Sequence, residues 1–236
     1  VASLMTELGR AGFSPKQIEE MTGAVMNLAR ATGTDATLSS GIMAATIRQF
    51  SMAATDAVRV ADGLTAAANK SFNSVESLGE ALSYAGPVAA DANMSLEETL
   101  AILGTLGNLG IQGSEAGTAL RRLLTLSASE SEKFQKVFGV ATKDAQGNAR
   151  KLVDVLGEVA AATANMGSGD RTAAFNEVFG LLGITSASAI GKSVTDTRQL
   201  LGEIQKARGI SAKTAADMDS GIGGAFRILK SSIEGV

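Results

Sequence analysis

Three short strings carry residue types that could do chemistry. Gly191-Lys192-Ser193 has the last three residues of a phosphate-binding loop, in which backbone N–H groups cradle phosphate and the lysine reaches its oxygens. That loop needs a glycine five residues before its second glycine, where this chain has Ser186, and it must follow a strand, whereas the context here is helical. A helix end or loop accounts for the triplet. Glu97 and Glu98, with Glu115 further on, could be a carboxylate pair for glycoside hydrolysis. Adjacent helical side chains point about 100° apart, and capping together with the N-terminal dipole explains these glutamates without catalysis. Asp144, Gln146 and Asn148 copy part of a calcium loop, but positions six and twelve hold Ala149 and Val155 instead of Gly and Glu. A plain turn is the better account.

The residues that are missing exclude more. The sequence has no Cys, His or Trp. Thiolate chemistry, disulfides, cysteine-held metals, imidazole bases and HExxH zinc sites are therefore outside its repertoire. Carboxylates, Lys/Arg, hydroxyls and the single Tyr84 remain. The expectation is a non-enzyme with no cofactor and no metal.

Of 236 residues, 45% are hydrophobic, 19% charged and 4% aromatic, with a net charge of −3. Alanine supplies much of the apolar fraction, so the core is expected to be thin per residue. The longest basic run is Arg121-Arg122, too little clustered charge for nucleic acid, and no sequence-specific binding of it is expected. The uncharged stretch from Thr99 to Ser114 falls short of the roughly 20 apolar residues of a membrane span, and a soluble domain is expected. The start at Val1 and the final Ser-Ser-Ile-Glu-Gly-Val read as cuts through a longer chain, and no signal peptide pattern opens it.

The hydrophobic period is helical almost throughout. Ile18, Met21, Val25 and Leu28 form one stripe, opened by Ser14, Pro15 and Gln17 as cap, first helical residue and capping-box partner, and closed by Gly33. Further stripes are Leu38, Ile42 and Ala45, then Val58, Ala61, Leu64 and Ala68. Asn73 and Glu76 give a box-like start to a helix that Pro87 should kink or break. Ser95 and Glu98 open the next, and Gly110 and Gly113 end it. Residues 140–151 are turn-rich, with room for two very short flanking strands. A last helix should start at a Ser211 cap and carry Ala215, Met218, Ile222, Phe226, Leu229 and Ile233. The fold class is all-α, a compact module of about ten short helices with no fixed repeat and no sustained heptad. It is read as one unit over 1–236, divisible at most into 1–72, 73–166 and 167–236.

Gly104, Gly107, Gly110, Gly113 and Gly117 are the most unusual feature. A glycine inside a helix costs about 0.5–1 kcal/mol against alanine, so a reason is wanted. Close packing in a helical hairpin is the first account, and a self-association surface the second.

At this stretch the chain resembles phage tail tape measure proteins. The strings that carry the resemblance are Ala81-Leu82-Ser83-Tyr84-Ala85-Gly86-Pro87-Val88-Ala89, Met94 to Thr99, and Gly110-Ile111-Gln112-Gly113-Ser114-Glu115-Ala116-Gly117-Thr118-Ala119-Leu120-Arg121. Phe138-Gly139-Val140, Asp144 with Gly147-Asn148, Val178-Phe179-Gly180 and Val60-Ala61-Asp62 fit more loosely. The resemblance implies a structural protein of a tailed phage or prophage that sets tail length and leaves ahead of the DNA. It also implies a place inside the tail tube, host cytoplasm during assembly, and several copies around the tail axis. The partners it implies are tube protein, assembly chaperones and tip or baseplate proteins, with the host membrane reached at ejection. No catalytic residue comes with it. The rival reading is a membrane-active, channel-forming module used in DNA delivery, suggested by small residues and low charge.

Overall fold

The structure, a computed structural model, describes residues 1–220. Among these are thirteen α-helices and no strand, so the chain is all-α with more and shorter helices than the stripes alone suggest. The first seven are α1 (Ala2–Arg10), α2 (Pro15–Thr32), α3 (Ala36–Gln49), α4 (Ala57–Lys70), α5 (Val75–Asp91), α6 (Leu96–Asn108) and α7 (Gly113–Ser129). Then follow α8 (Ser131–Phe138), α9 (Leu152–Ala162), α10 (Ser168–Phe179), α11 (Ile184–Lys192), α12 (Val194–Lys206) and α13 (Ile210–Ser220). Ile222, Phe226, Leu229 and Ile233 lie outside the described residues.

The local start signals act as the sequence dictates. Ser14 accepts from the Gln17 N–H while the Gln17 side chain accepts from the Ser14 N–H, and Ser95 and Glu98 do the same for α6. Gly33 ends α2 in the left-handed conformation. One start is corrected. The cap of α5 is Ser74, not Asn73, because the Asn73 amide is drawn inward to the Leu103 carbonyl, 3.2 Å away on α6. α5 then runs through Pro87 without a break.

The first seven helices alternate between two layers. α1, α3, α5 and α7 lie side by side in one, α2, α4 and α6 in the other, and each helix also touches its chain neighbour across the layers. The odd helices begin at Ala2, Ala36, Val75 and Gly113, at near-equal intervals, so helix pairs stack in the manner of an α-solenoid. This regularity is geometric and is not repeated in residue identities. α13 covers α2 and α4, α12 covers α6 and α4, and α8 to α11 close the α6/α7 end. One cluster of buried side chains runs from Leu4 to Ile204.

Covering both sides of the even layer changes which faces are buried. In α4 every residue from Val60 to Ala67 is buried, while Val58 is 54% exposed. In α3 the core is reached by Met43 and Ile47, and Leu38 points outward. The stripe Leu38/Ile42/Ala45 is therefore rotated from the real contact face, whereas in Val58/Ala61/Leu64/Ala68 the central Ala61 and Leu64 are fully buried and Val58 alone is exposed. Alanine and serine on the other faces are small enough to be buried without announcing it as hydrophobic periodicity.

The turn-rich segment holds no strand among the described residues. Its one ladder element is an isolated antiparallel bridge between Lys143 and Ala149. Asp144 organises the turn by accepting from the Gln146 and Asn148 N–H groups and from the Asn148 amide. Those bonds hold its carboxyl below the usual aspartate range.

Candidate functional site

The glycine series of α6 and α7 serves several different contacts. A Cβ on Gly104 would sit 2.6 Å from the Leu200 side chain of α12, and one on Gly107 would collide with the Asn73 amide. Gly110 is in the turn at φ +85°, with nothing within 4 Å. Gly113 opens α7 at φ +55° against Glu80, and its N–H donates to Ser77 Oγ at 3.0 Å. Gly117 meets backbone. A Cβ there would strike the Ala81 carbonyl and lie 2.9 Å from Ala81 Cα and Tyr84 Cβ. The close partner of α7 is therefore α5, and the α6–α7 hairpin is the looser pair. Of the rest of that string, Leu120 is fully buried and Ser114 half-buried, while Glu115, Thr118 and Arg121 face outward. The Arg121 guanidinium stands 6.0 Å from the Tyr84 ring.

Two turns meet at the end of this layer. The Phe72 N–H donates to Asn108 Oδ1 at 2.9 Å, and the Gln112 amide donates to the Phe72 carbonyl. Locking the α4–α5 turn to the α6–α7 turn leaves Phe72 78% and Leu109 49% exposed.

At the opposite ends of α5 and α7 lies a cleft of about 1120 Å³. It is bounded by the end of α5, the first half of α6, the last turn of α7, the 143–154 segment and α12. Ile102, Leu124, Leu152 and Leu201 give it apolar walls, with Lys143, Lys151 and Arg198 among its charged residues.

The carboxylates that could have been a catalytic pair are engaged elsewhere. Glu97 forms a two-pronged pair with Arg59 of α4, at 2.7 and 2.9 Å. Glu98 accepts from the Ser95 N–H to complete the α6 capping box and pairs with Lys151 at 2.8 Å. Burial pushes both carboxyls up, but the paired cation and the hydrogen bonds outweigh it, and both end below the ordinary glutamate range. A carboxyl whose folded pKa is depressed stabilises the fold above its unfolded pKa and loses that contribution as pH falls through the folded one. Stability measured by urea unfolding should therefore decline below about pH 4.3, the unfolded glutamate value. Glu97→Gln should flatten that decline while lowering stability at neutral pH.

Gly191 of the would-be phosphate loop lies inside α11, where a Cβ would be 2.8 Å from the Leu156 carbonyl of α9. Its N–H is part of a helix, so the triplet is a packing contact. Among the described residues no group of three or more acidic side chains is placed to hold a metal ion.

Two arrangements were missed by sequence reasoning. The Phe-Gly strings come together, with Phe134 and Phe138 of α8 meeting Phe175 and Phe179 of α10 at ring separations of 5.3 to 6.0 Å. Arg122 of α7 donates twice to the Phe179 carbonyl, at 3.0 and 3.2 Å, which ties that cluster to the glycine-rich string. The second is Asp62 of α4. Its carboxylate accepts from the Gly209 N–H, the Ser211 N–H and the Ser211 hydroxyl at 2.7 to 2.9 Å. Asp62 thus caps α13 across the fold, and Ser211 donates to it instead of capping on its own. Asp62→Ala leaves three donors unpaired, each buried donor costing about 1–3 kcal/mol. Amide exchange over 209–220 should accelerate at least about tenfold, one decade per 1.4 kcal/mol, with exchange in α5 and α7 little changed.

The glycine-rich and Phe-Gly strings lie within the region that a family model matches. The model is that of the phage-related minor tail protein, and it matches residues 1–180, from α1 to just past the Phe179 cluster. The chain belongs to that family. It is 35% identical over 170 residues, 71% of its length, to the tape measure protein of Pneumococcus phage Dp-1. It is 26% identical over 236 aligned residues, 97% of its length, to the probable tape measure protein of Escherichia phage P2. It spans only 15% and 29% of the lengths of these two relatives. No solved structure matches it. The family match thus covers α1 to α10, and the Asp62 contact to α13 joins matched and unmatched parts.

Among the described residues no single helix is long and apolar enough to cross a membrane. α10 and α11 reach that composition only as a pair, bent by 112°, and their Phe175, Val178, Phe179 and Ile190 are buried in the core.

Proposed function

We propose that this chain is a folded helical module of a tail tape measure protein, acting in tail assembly and genome ejection and not as the length-setting rod itself. The observation that carries this is the architecture of a family member. Short helices bury one another around a shared core, with Gly110 and Gly139 in left-handed turns. A ruler gains length by extending one helix at about 1.5 Å per residue. Stacked short helices give up that extension for packing.

In this reading the module lies inside the tail tube of the virion after assembly in the host cytoplasm. It works with further copies of itself, the tube protein, assembly chaperones and tip or baseplate proteins. Its chemistry is that of a packing surface, with no catalytic residue. Glu97 and Glu98 are spent on ion pairs and a capping box, and Asp144 on its own turn, which supports that assignment. Channel formation in the host membrane draws no support from the α10–α11 pair, whose Phe175, Val178, Phe179 and Ile190 are spent on the core, with only Leu181 and Leu182 exposed at the bend among its large apolar residues.

An in-frame deletion of these residues from the parent phage tests the proposal, with tail length measured by electron microscopy. A rod of 236 residues would shorten the tail by about 350 Å. The expected result is tails of nearly normal length, assembled in lower yield or ejecting poorly. Tails shorter by that full amount with infectivity kept would contradict it.

A further inference from the structure

We infer that the exposed Phe72–Leu109 tip of one copy docks into the cleft at the far end of a second copy, head to tail. This deepens the self-association included above, but it rests on surface chemistry alone. Its failure would leave the tail assignment standing, and failure of the deletion experiment would leave it standing in turn.

The two surfaces are opposite ends of the same helices. α5 runs from the tip, beside Phe72, to the cleft at Asp91 and Ala92, and α7 runs from Gly113 at the tip to Ser129 at the cleft. A surface at one end that fits a surface at the other makes a heterologous contact, which repeats from copy to copy.

Chemistry matches at both ends. The tip holds an aromatic ring 78% exposed beside a half-exposed leucine, at a place where a polar side chain would cost nothing in folding. The interlocked Phe72, Asn108 and Gln112 hydrogen bonds fix the backbone beneath that ring, so little flexibility is lost on docking. The cleft, about 1120 Å³ with apolar walls, is large enough for both side chains and part of the turn.

Charge agrees as well. Glu76 and Glu80 in the first turns of α5 and Glu115 in the first turn of α7 make the tip acidic, and Lys70 beside them is paired with Glu203. Of the cations lining the cleft, Arg150, Lys151 and Arg198 are paired with Glu158, Glu98 and Asp154, which leaves Lys143 and the carboxylate Asp91. Lys143 is exposed and makes no ion pair among the described residues, so it is available to an acidic partner. The acidic tip repels a second tip and can pair with Lys143, which favours head-to-tail docking over tip against tip.

The absence of native cysteine makes the test direct. Phe72→Cys and Ala128→Cys place one thiol at the tip and one on an exposed residue of the cleft. α7 separates these ends by about 22 Å along its axis, far beyond the Cα separation of about 4.4–6.8 Å that a disulfide spans. Any disulfide between the two positions therefore joins two copies.

Mixing the two single variants of the 236-residue chain under mild oxidation should give a heterodimer, and the double variant a ladder of higher species. In sedimentation, Phe72→Ser with Leu109→Ser should weaken self-association at least about tenfold, as loss of a central apolar anchor does. Lys143→Glu should weaken it too, with recovery when combined with Glu80→Lys. Disulfides formed by Phe72→Cys alone as readily as in the mixture would mean tip-to-tip pairing and overturn the proposal. Mass that stays monomeric at all concentrations would overturn it as well. A monomer with its cleft amides still protected from exchange would point to residues 221–236 of the same chain as the occupant.

Discussion

Replacing Phe134 with alanine should destabilise the protein by about 3–5 kcal/mol. Phe134 is fully buried, and its ring lies edge-on to Phe179 at 5.3 Å and to Phe138 at 6.0 Å. The sequence has only 4% aromatic residues, and four of them are gathered here, so few other rings contribute comparable area. Truncation removes the buried ring, leaves a cavity, and cancels two edge-to-face contacts worth about 0.5–1.5 kcal/mol each. The ring also joins α8 to α10, and α10 is held to α7 through Arg122 at the Phe179 carbonyl, so the loss should be felt cooperatively. Thermal unfolding should fall by roughly 10 °C or more for a chain of this size. Phe72→Ala, 78% exposed, is the control and should change stability by less than about 0.5 kcal/mol.

Gly117→Ala carries the second large effect. The added methyl would strike the Ala81 carbonyl and lie 2.9 Å from the Ala81 Cα, so backbone and not a flexible side chain must move. Overpacking of this kind costs about 1–3 kcal/mol and sometimes more. The upper end is expected here, because α5 is itself pinned on its other side, where Gly79 and Gly86 meet Ile42 and Gln49 of α3. Gly23→Ala in α2 should do the opposite. Nothing lies within 4 Å of a Cβ there, and the gain from alanine's helix propensity is about 0.5–1 kcal/mol. Urea unfolding of the two variants side by side should show midpoints displaced in opposite directions. Equal shifts would mean that the α5–α7 approach is not what the glycine at 117 permits.

These two positions show how unevenly the fold was legible. Gly117 stood out because five glycines at close spacing need a reason, but its partner α5 did not. The hairpin to α6 was the simpler expectation from chain order. Phe134 was not singled out at all. Its partners lie about 40 residues away in an unrelated stripe, and no local pattern marks two phenylalanine pairs as facing each other. The Ser74 cap was missed by one residue for a similar reason: Asn73 is as good a cap as serine by itself, and only the Leu103 carbonyl of α6 takes its side chain elsewhere.

The sequence by itself determined the helical class, the starts at Ser14 and Ser95, the stop at Gly33 and the absence of imidazole and thiol chemistry. Each of these depends on residue identity or on partners within one helical turn, where spacing along the chain is spacing in space. Tertiary structure alone decided the alternation of layers, the faces that α3 and α4 bury, the Phe134–Phe179 cluster and the capping of α13 by Asp62. In this alanine-, glycine- and serine-rich chain many helix faces are small enough to be buried. Which one is chosen depends on side-chain fit between helices distant in sequence, and a helix covered on all sides, as α4 is from Val60 to Ala67, shows no periodic stripe to read.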